Sequence, residues 1–86
     1  MAASLEIYVE ADCFVCARSS EIAAGVRATF ADVEVEMIDL ADGGGRHRHL
    51  LIAAPTYVLD GEVVSLGNPD PHTLHLEIRQ RQGAER

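Results

Sequence analysis

The sequence predicts an α/β fold in the order βαβ(α)ββα, a four-stranded mixed sheet flanked by helices. Three observations predict it. Two β-rich segments of alternating polarity flank a stretch with an apolar helical stripe, the pattern of a βαβ crossover between parallel strands. Asp60-Gly61 separates two apolar runs, the strongest short-range sign of a β-hairpin. Asp70-Pro71 then opens a final amphipathic segment with the two residues that a helix start favours.

Taken in order, Leu5-Glu6-Ile7-Tyr8-Val9-Glu10 alternates apolar and polar apart from Tyr8, and reads as the first strand. A helix is expected over Ala17 to Phe30. Its stripe is Ile22, Val26 and Phe30, with Cys16, Ala23 and Thr29 on adjoining positions of the same side. Gly25 inside it costs about 1 kcal/mol relative to alanine, and Asp32 marks the exit. Val33 to Leu40 alternates again and makes the second strand. Asp42-Gly43-Gly44-Gly45 breaks the pattern, and a short helix is expected at Arg46 to Leu51. Ala54 to Leu59 and Glu62 to Leu66 form the hairpin strands. Leu74 and Ile78 give one face of the terminal helix, which Gly83 closes; positions 81–86 are expected to fray.

The chain has 86 residues, which is room for one domain, 1–86, and one modest core. That core must be mostly aliphatic, because tryptophan is absent and only two tyrosines and two phenylalanines occur. A net charge of −7 argues against nucleic acid or an anionic membrane as partner, since phosphate binding needs a positive surface field. No stretch approaches the roughly 20 apolar residues of a membrane span, and the opening Met1-Ala2-Ala3-Ser4 lacks the basic and apolar regions of an export signal. A soluble, cytoplasmic monomer is the expectation.

Cys13 and Cys16 are the only cysteines. A Cys-x-x-Cys pair without an export signal points to redox work or to half of a metal site. His47 and His49 would complete a zinc site on paper, although an Arg-His-Arg-His run beside three glycines reads more simply as a solvated, charge-compensating patch. Where a strand gives way to a helix, the first cysteine meets unsatisfied N–H groups and the positive helix end, both of which favour a thiolate. The second lies one turn back, facing the protein. Phe14, between them, is expected to be exposed and to contact a substrate or partner.

At these residues the chain resembles the thioredoxin/glutaredoxin superfamily. The resemblance rests on Cys13-Phe14-Val15-Cys16 after the first strand, the helix and parallel strand that follow, Ala54-Pro55-Thr56 before the third strand, and the hairpin with its closing helix. It implies that Pro55 is cis and lies against the cysteine pair, that Ala54 offers its backbone to an extended substrate, and that Ala54, Pro55 and Thr56 with Phe14 form the substrate site. It implies thiol–disulfide exchange with Cys13 attacking and Cys16 resolving, a disulfide-containing protein or small thiol as substrate, and a reductase or external thiol as electron donor. No cofactor or metal is expected. The competing expectation is a non-catalytic binding or redox-sensing module on the same fold.

The sequence also departs from the family pattern. No tryptophan precedes Cys13, and the dipeptide between the cysteines is Phe-Val. Ile7 occupies the place of the buried acid in the first strand of thioredoxins. Asp12 stands before Cys13 where glutaredoxins carry a basic residue nearby, and Gly67-Asn68 replaces their Gly-Gly, with Asp70 after it. A carboxylate at Asp12 opposes thiolate formation at Cys13 and makes the pair more reducing in character.

Overall fold

The computed structural model describes residues 3–11, 13–51 and 53–84. Strand β1 spans Ser4–Val9, helix α1 Cys16–Thr29, β2 Glu34–Asp39, β3 Thr56–Leu59, β4 Glu62–Leu66 and helix α2 Pro71–Ala84. The sheet order is β2-β1-β3-β4. β1 and β2 run parallel, in register from Ser4 opposite Glu34 to Val9 opposite Asp39. β3 is antiparallel to both β1 and β4, with a register shift at Tyr57/Val58. This is the mixed sheet of the thioredoxin-like fold.

Period-2 alternation divides the sheet between two different coverings. Leu5 and Ile7 of β1, with Tyr57 and Leu59 of β3, face a core closed by Ile22, Ala23 and Val26 of α1 and by Leu74 and Ile78 of α2. Burying each large aliphatic side chain there is worth about 1.5–3 kcal/mol. Both α-helices therefore cover the same face. On the opposite face Tyr8, Ile38 and Val58 are buried under the segment that carries Leu40 and Leu51. The short helix expected at Arg46 to Leu51 is reduced to a 3-10 turn at Arg48–Leu50, preceded by another at Leu40–Asp42. Positive φ at Gly43 and Gly45 interrupts any continuous helix through this stretch.

Local chemistry explains the element ends. Asp60 and Gly61 both adopt positive φ, as a two-residue hairpin turn of this hand requires. The Asp60 carboxylate accepts from the Ser4 backbone N–H at 2.9 Å, tying the turn to the start of β1. Asp70 caps α2 through Thr73 N–H, and Pro71 takes the first helical position. Two details differ from the sequence pattern. Thr29 is exposed rather than part of the buried stripe, and Ser19 is buried in its place. α2 continues through Ala84, one residue past the Gly83 expected to close it, with Arg81 on Glu62 at 2.8 Å and Gln82 on Asp32 at 3.0 Å in its last turn; positions 85–86 of the expected tail lie outside the described residues.

Candidate active site

After β1 the chain turns, with Cys13 N–H donating to the Glu10 carbonyl at 3.2 Å, and delivers the cysteine pair to the start of α1. Asp12, expected to oppose thiolate formation, lies outside the described residues. Cys13 and Cys16 are joined by a disulfide with Cα atoms 5.2 Å apart. Cys13 is partly exposed, whereas Cys16, the first residue of α1, is buried. A Cys16 N–H bond to the Cys13 carbonyl at 3.2 Å closes the turn. The first α1 turn contains no acidic side chain and no side-chain cap, which leaves its N-terminal dipole facing the cysteines uncompensated. Phe14 is 96% exposed, as expected, and its neighbour Val15 is half-exposed.

The proline segment arrives on the other side. Ala54–Pro55 is a cis peptide bond. The Cys13 sulfur lies 3.9 Å from the Ala54 carbonyl oxygen. In the disulfide this sulfur carries no hydrogen, so the approach is a contact; in the dithiol the S–H has an acceptor waiting. Pro55 is buried, and its carbonyl accepts from Gly67 N–H at 2.7 Å. Cys13, Cys16, Ala54 and Pro55 are thus brought together. Thr56 is not at the surface: it is fully buried, and its hydroxyl donates to the Ala53 carbonyl. Its side chain turns inward, against the backbone of the proline turn.

An open groove of about 420 Å³ runs from Phe14 and Val15 along α1 past Ala17, Arg18 and Glu21 to Asn68. Arg18 and Glu21 pair across one helical turn at 3.7 Å, both largely solvated. Asn68 is a residue whose role the sequence left unread. Its Oδ1 accepts from the Ser19 hydroxyl at 2.7 Å and the Tyr57 hydroxyl at 2.8 Å, and its Nδ2 donates to the Val15 carbonyl at 2.8 Å. Ser19 and Tyr57 are fully buried, and burial pushes the Tyr57 phenol up from its ordinary value. The available signal was a serine on the inner side of α1, which demands a polar partner.

Arg46, Arg48 and His49 are exposed, as the composition of the run suggests, and His47 turns inward. Glu6, in the middle of β1, is only 2% exposed, and His47 Nδ1 sits 2.5 Å from its Oε1. The Tyr8 hydroxyl donates to the same oxygen at 3.2 Å and accepts from His47 N–H at 3.0 Å. Arg46 Nε lies 3.5 Å from Glu6 Oε2, within ion-pair range but without a hydrogen bond, and Oε2 has no such partner. Burial by itself would push the Glu6 carboxyl up. The hydrogen bond and charge of His47, joined by Tyr8 and Arg46, nevertheless hold it below the usual carboxylate range. A buried acid is therefore present in β1, one residue from Ile7 and on the sheet face away from α1. Tyr8, the apolar exception in the alternation, was the sign that this second face is covered.

No family model matches the chain, and no curated protein matches it in sequence. Solved structures match it in fold. The oxidised thioredoxin O2 of Arabidopsis thaliana superposes with a TM-score of 0.70 at 20% identity, covering 92% of this chain and 74% of that one. Fasciola hepatica thioredoxin gives 0.72 at 17% identity over 92% and 80%. Mitochondrial thioredoxin 3 of Saccharomyces cerevisiae, also oxidised, gives 0.72 at 19% identity over 91% and 77%.

Proposed function

We propose that this thioredoxin-fold chain is a thiol–disulfide oxidoreductase, acting as a protein disulfide reductase or electron carrier. The observation that carries the reading is the pairing of a partly exposed Cys13 with a buried Cys16 at a helix N-terminus, set against the cis Ala54–Pro55 segment. In the dithiol form the Cys13 thiolate attacks one sulfur of a substrate disulfide. A mixed disulfide forms, and the other substrate sulfur leaves as a thiolate that takes a proton from water. The Cys16 thiolate then attacks the Cys13 sulfur. The Cys13–substrate bond breaks, the second substrate thiolate departs, and the Cys13–Cys16 disulfide remains. Two electrons have passed to the substrate, and an external dithiol or a reductase returns them. No organic cofactor enters the cycle.

Two features support a reducing rather than an oxidising protein. The Ala54 carbonyl beside Cys13 accepts a hydrogen bond from the thiol but offers nothing to the thiolate, and so opposes the helix end. Asp12, immediately before Cys13, adds an opposing charge. A reductase-coupled protein of this kind fits a reducing compartment such as the cytoplasm. Phe14 and Val15 supply apolar contact for a protein substrate.

Insulin reduction driven by dithiothreitol tests turnover. The wild-type chain is expected to accelerate it, Cys13→Ser to abolish the acceleration, and Cys16→Ser to accumulate a covalent substrate adduct on gels. A single stoichiometric change of redox state without turnover would instead establish a sensor. A reduction potential near the thioredoxin value of about −270 mV fits the reductant, and one near about −120 mV, that of strongly oxidising members of the fold, would overturn that direction.

A further inference from the structure

The Gly67-Asn68 step touches both walls of the cysteine site. Gly67 N–H holds the Pro55 carbonyl at 2.7 Å, while the Asn68 side chain holds the Val15 carbonyl at 2.8 Å. Gly67 is free to do so because its φ of +92° is open to glycine. One dipeptide in the loop before α2 therefore joins the proline segment to the turn between the cysteines. Val15 is otherwise half-exposed, and its carbonyl, at the N-cap of α1, also accepts a long 3.3 Å bond from Arg18 N–H. Asn68 thus adds a hold from outside the turn to the Val15–Cys16 peptide, whose local bonds, Cys16 N–H to the Cys13 carbonyl and Arg18 N–H to the Val15 carbonyl, are long at 3.2 and 3.3 Å.

The orientation of the Asn68 amide is not free. Turning it over would place Oδ1 against the Val15 carbonyl oxygen, two acceptors facing each other. It would also withdraw the acceptor from the hydroxyls of Ser19 and Tyr57, both buried groups. Those two hydroxyls therefore act as a lock that aims the Nδ2 donor at Val15. The lock is anchored in β3 through Tyr57 and in α1 through Ser19, the two elements that frame the site.

We propose that Asn68 is a positioning residue for thiol–disulfide exchange, keeping the Cys13–Cys16 turn in its ring-closing geometry when the disulfide is open. The inference rests on the oxidoreductase reading above and deepens it. In the mixed disulfide the Cys16 sulfur must approach the Cys13 sulfur in line with the bond that breaks; the electron pair of that bond leaves on the substrate sulfur. Holding the turn raises the effective concentration of Cys16 at Cys13 without touching either sulfur. Losing the hold favours the open dithiol, so the potential rises, and each tenfold loss in the closure constant is about 30 mV.

The test measures the dithiol–disulfide equilibrium of the full chain in glutathione buffers, for wild type, Asn68→Ala and Asn68→Asp. Asn68→Asp keeps acceptors for Ser19 and Tyr57 but turns the donor at Val15 into an acceptor. Both variants are expected to lower the closure constant about tenfold and to prolong the mixed disulfide in rapid-quench experiments. The rate at which Cys13 is alkylated in the reduced protein should change less than twofold, which a general loss of structure would not reproduce. A closure constant within twofold of wild type in a folded Asn68→Asp protein overturns the proposal. If both variants unfold, the side-chain amide protons of Asn68 in the reduced wild-type protein decide it: slowed solvent exchange supports the hold, and free exchange overturns it. These equilibria need no substrate turnover. A wild-type chain that fails to reduce insulin would therefore count against the oxidoreductase reading while leaving the closure measurement to judge Asn68.

Discussion

At the scale of single residues, the chain places one carboxylate where few proteins tolerate one. Glu6 is buried in the central strand, and its ionised form survives because His47, Tyr8 and Arg46 surround it. Removing one partner of such a group costs about 2–4 kcal/mol, since the remaining charge stays buried and uncompensated. His47→Ala is expected to show this loss in urea unfolding at neutral pH. The sign of the pH dependence follows from the lowered folded pKa. Stability from Glu6 is present above its unfolded value of about 4.5 and is lost as pH falls through the lower folded value. Wild-type protein should therefore lose stability on acidification below about pH 4.5, and Glu6→Gln should flatten that arm of the curve while starting lower at neutral pH. A Glu6→Gln protein with an unchanged acid limb would show that the pair with His47 does not carry it.

At the scale of elements, two glycines separate propensity from packing. Gly25 lies inside α1 with open space where a side chain would go. Gly25→Ala should therefore raise stability by about 0.5–1 kcal/mol, the ordinary helix difference. Gly45 is the opposite case. Its φ is +103°, and a Cβ there would fall on the Tyr8 ring. Gly45→Ala should lose about 1–3 kcal/mol and loosen the segment over the second sheet face, seen as faster amide exchange through residues 46–51. The same contrast explains what the sequence could disclose. The strands, α1, the hairpin and the α2 cap were legible because each is written in neighbouring residues: alternation, a helical stripe, Asp60-Gly61, Asp70-Pro71. The cysteine pair was legible through its place between strand and helix. The helix expected at 46–51 is shortened to one 3-10 turn at Arg48–Leu50, because His47 leaves the helical region and Arg46 and His47 are engaged by a strand some forty residues earlier. Asn68 stayed hidden for the same reason: its three partners lie in α1, β3 and the cysteine turn, and only the folded chain brings them to one side chain.

At the scale of the whole molecule, the fold divides naturally into a β-α-β half, β1 through β2, and a β-β-α half, β3 through α2. They meet through the antiparallel β1–β3 ladder, the α1–α2 contact, the grip of His47 on Glu6 and the tether of Asn68 on Val15. The glycine stretch at 43–45 is exposed and joins them. The cysteine site is thus divided as well. Both sulfurs belong to the first half, while the proline wall and the amide that steadies their turn belong to the second. A protease site placed between Gly43 and Gly44 and cut in the folded protein should leave a nicked molecule that still elutes at its original size. Its cysteine pair should keep the closure constant of the intact chain until urea parts the pieces. If the pieces separate on cutting, the contacts above are too weak to hold them. If they stay together, the Cys13–Cys16 equilibrium becomes a reporter of complementation between two polypeptides, a redox readout that exists only while both are bound.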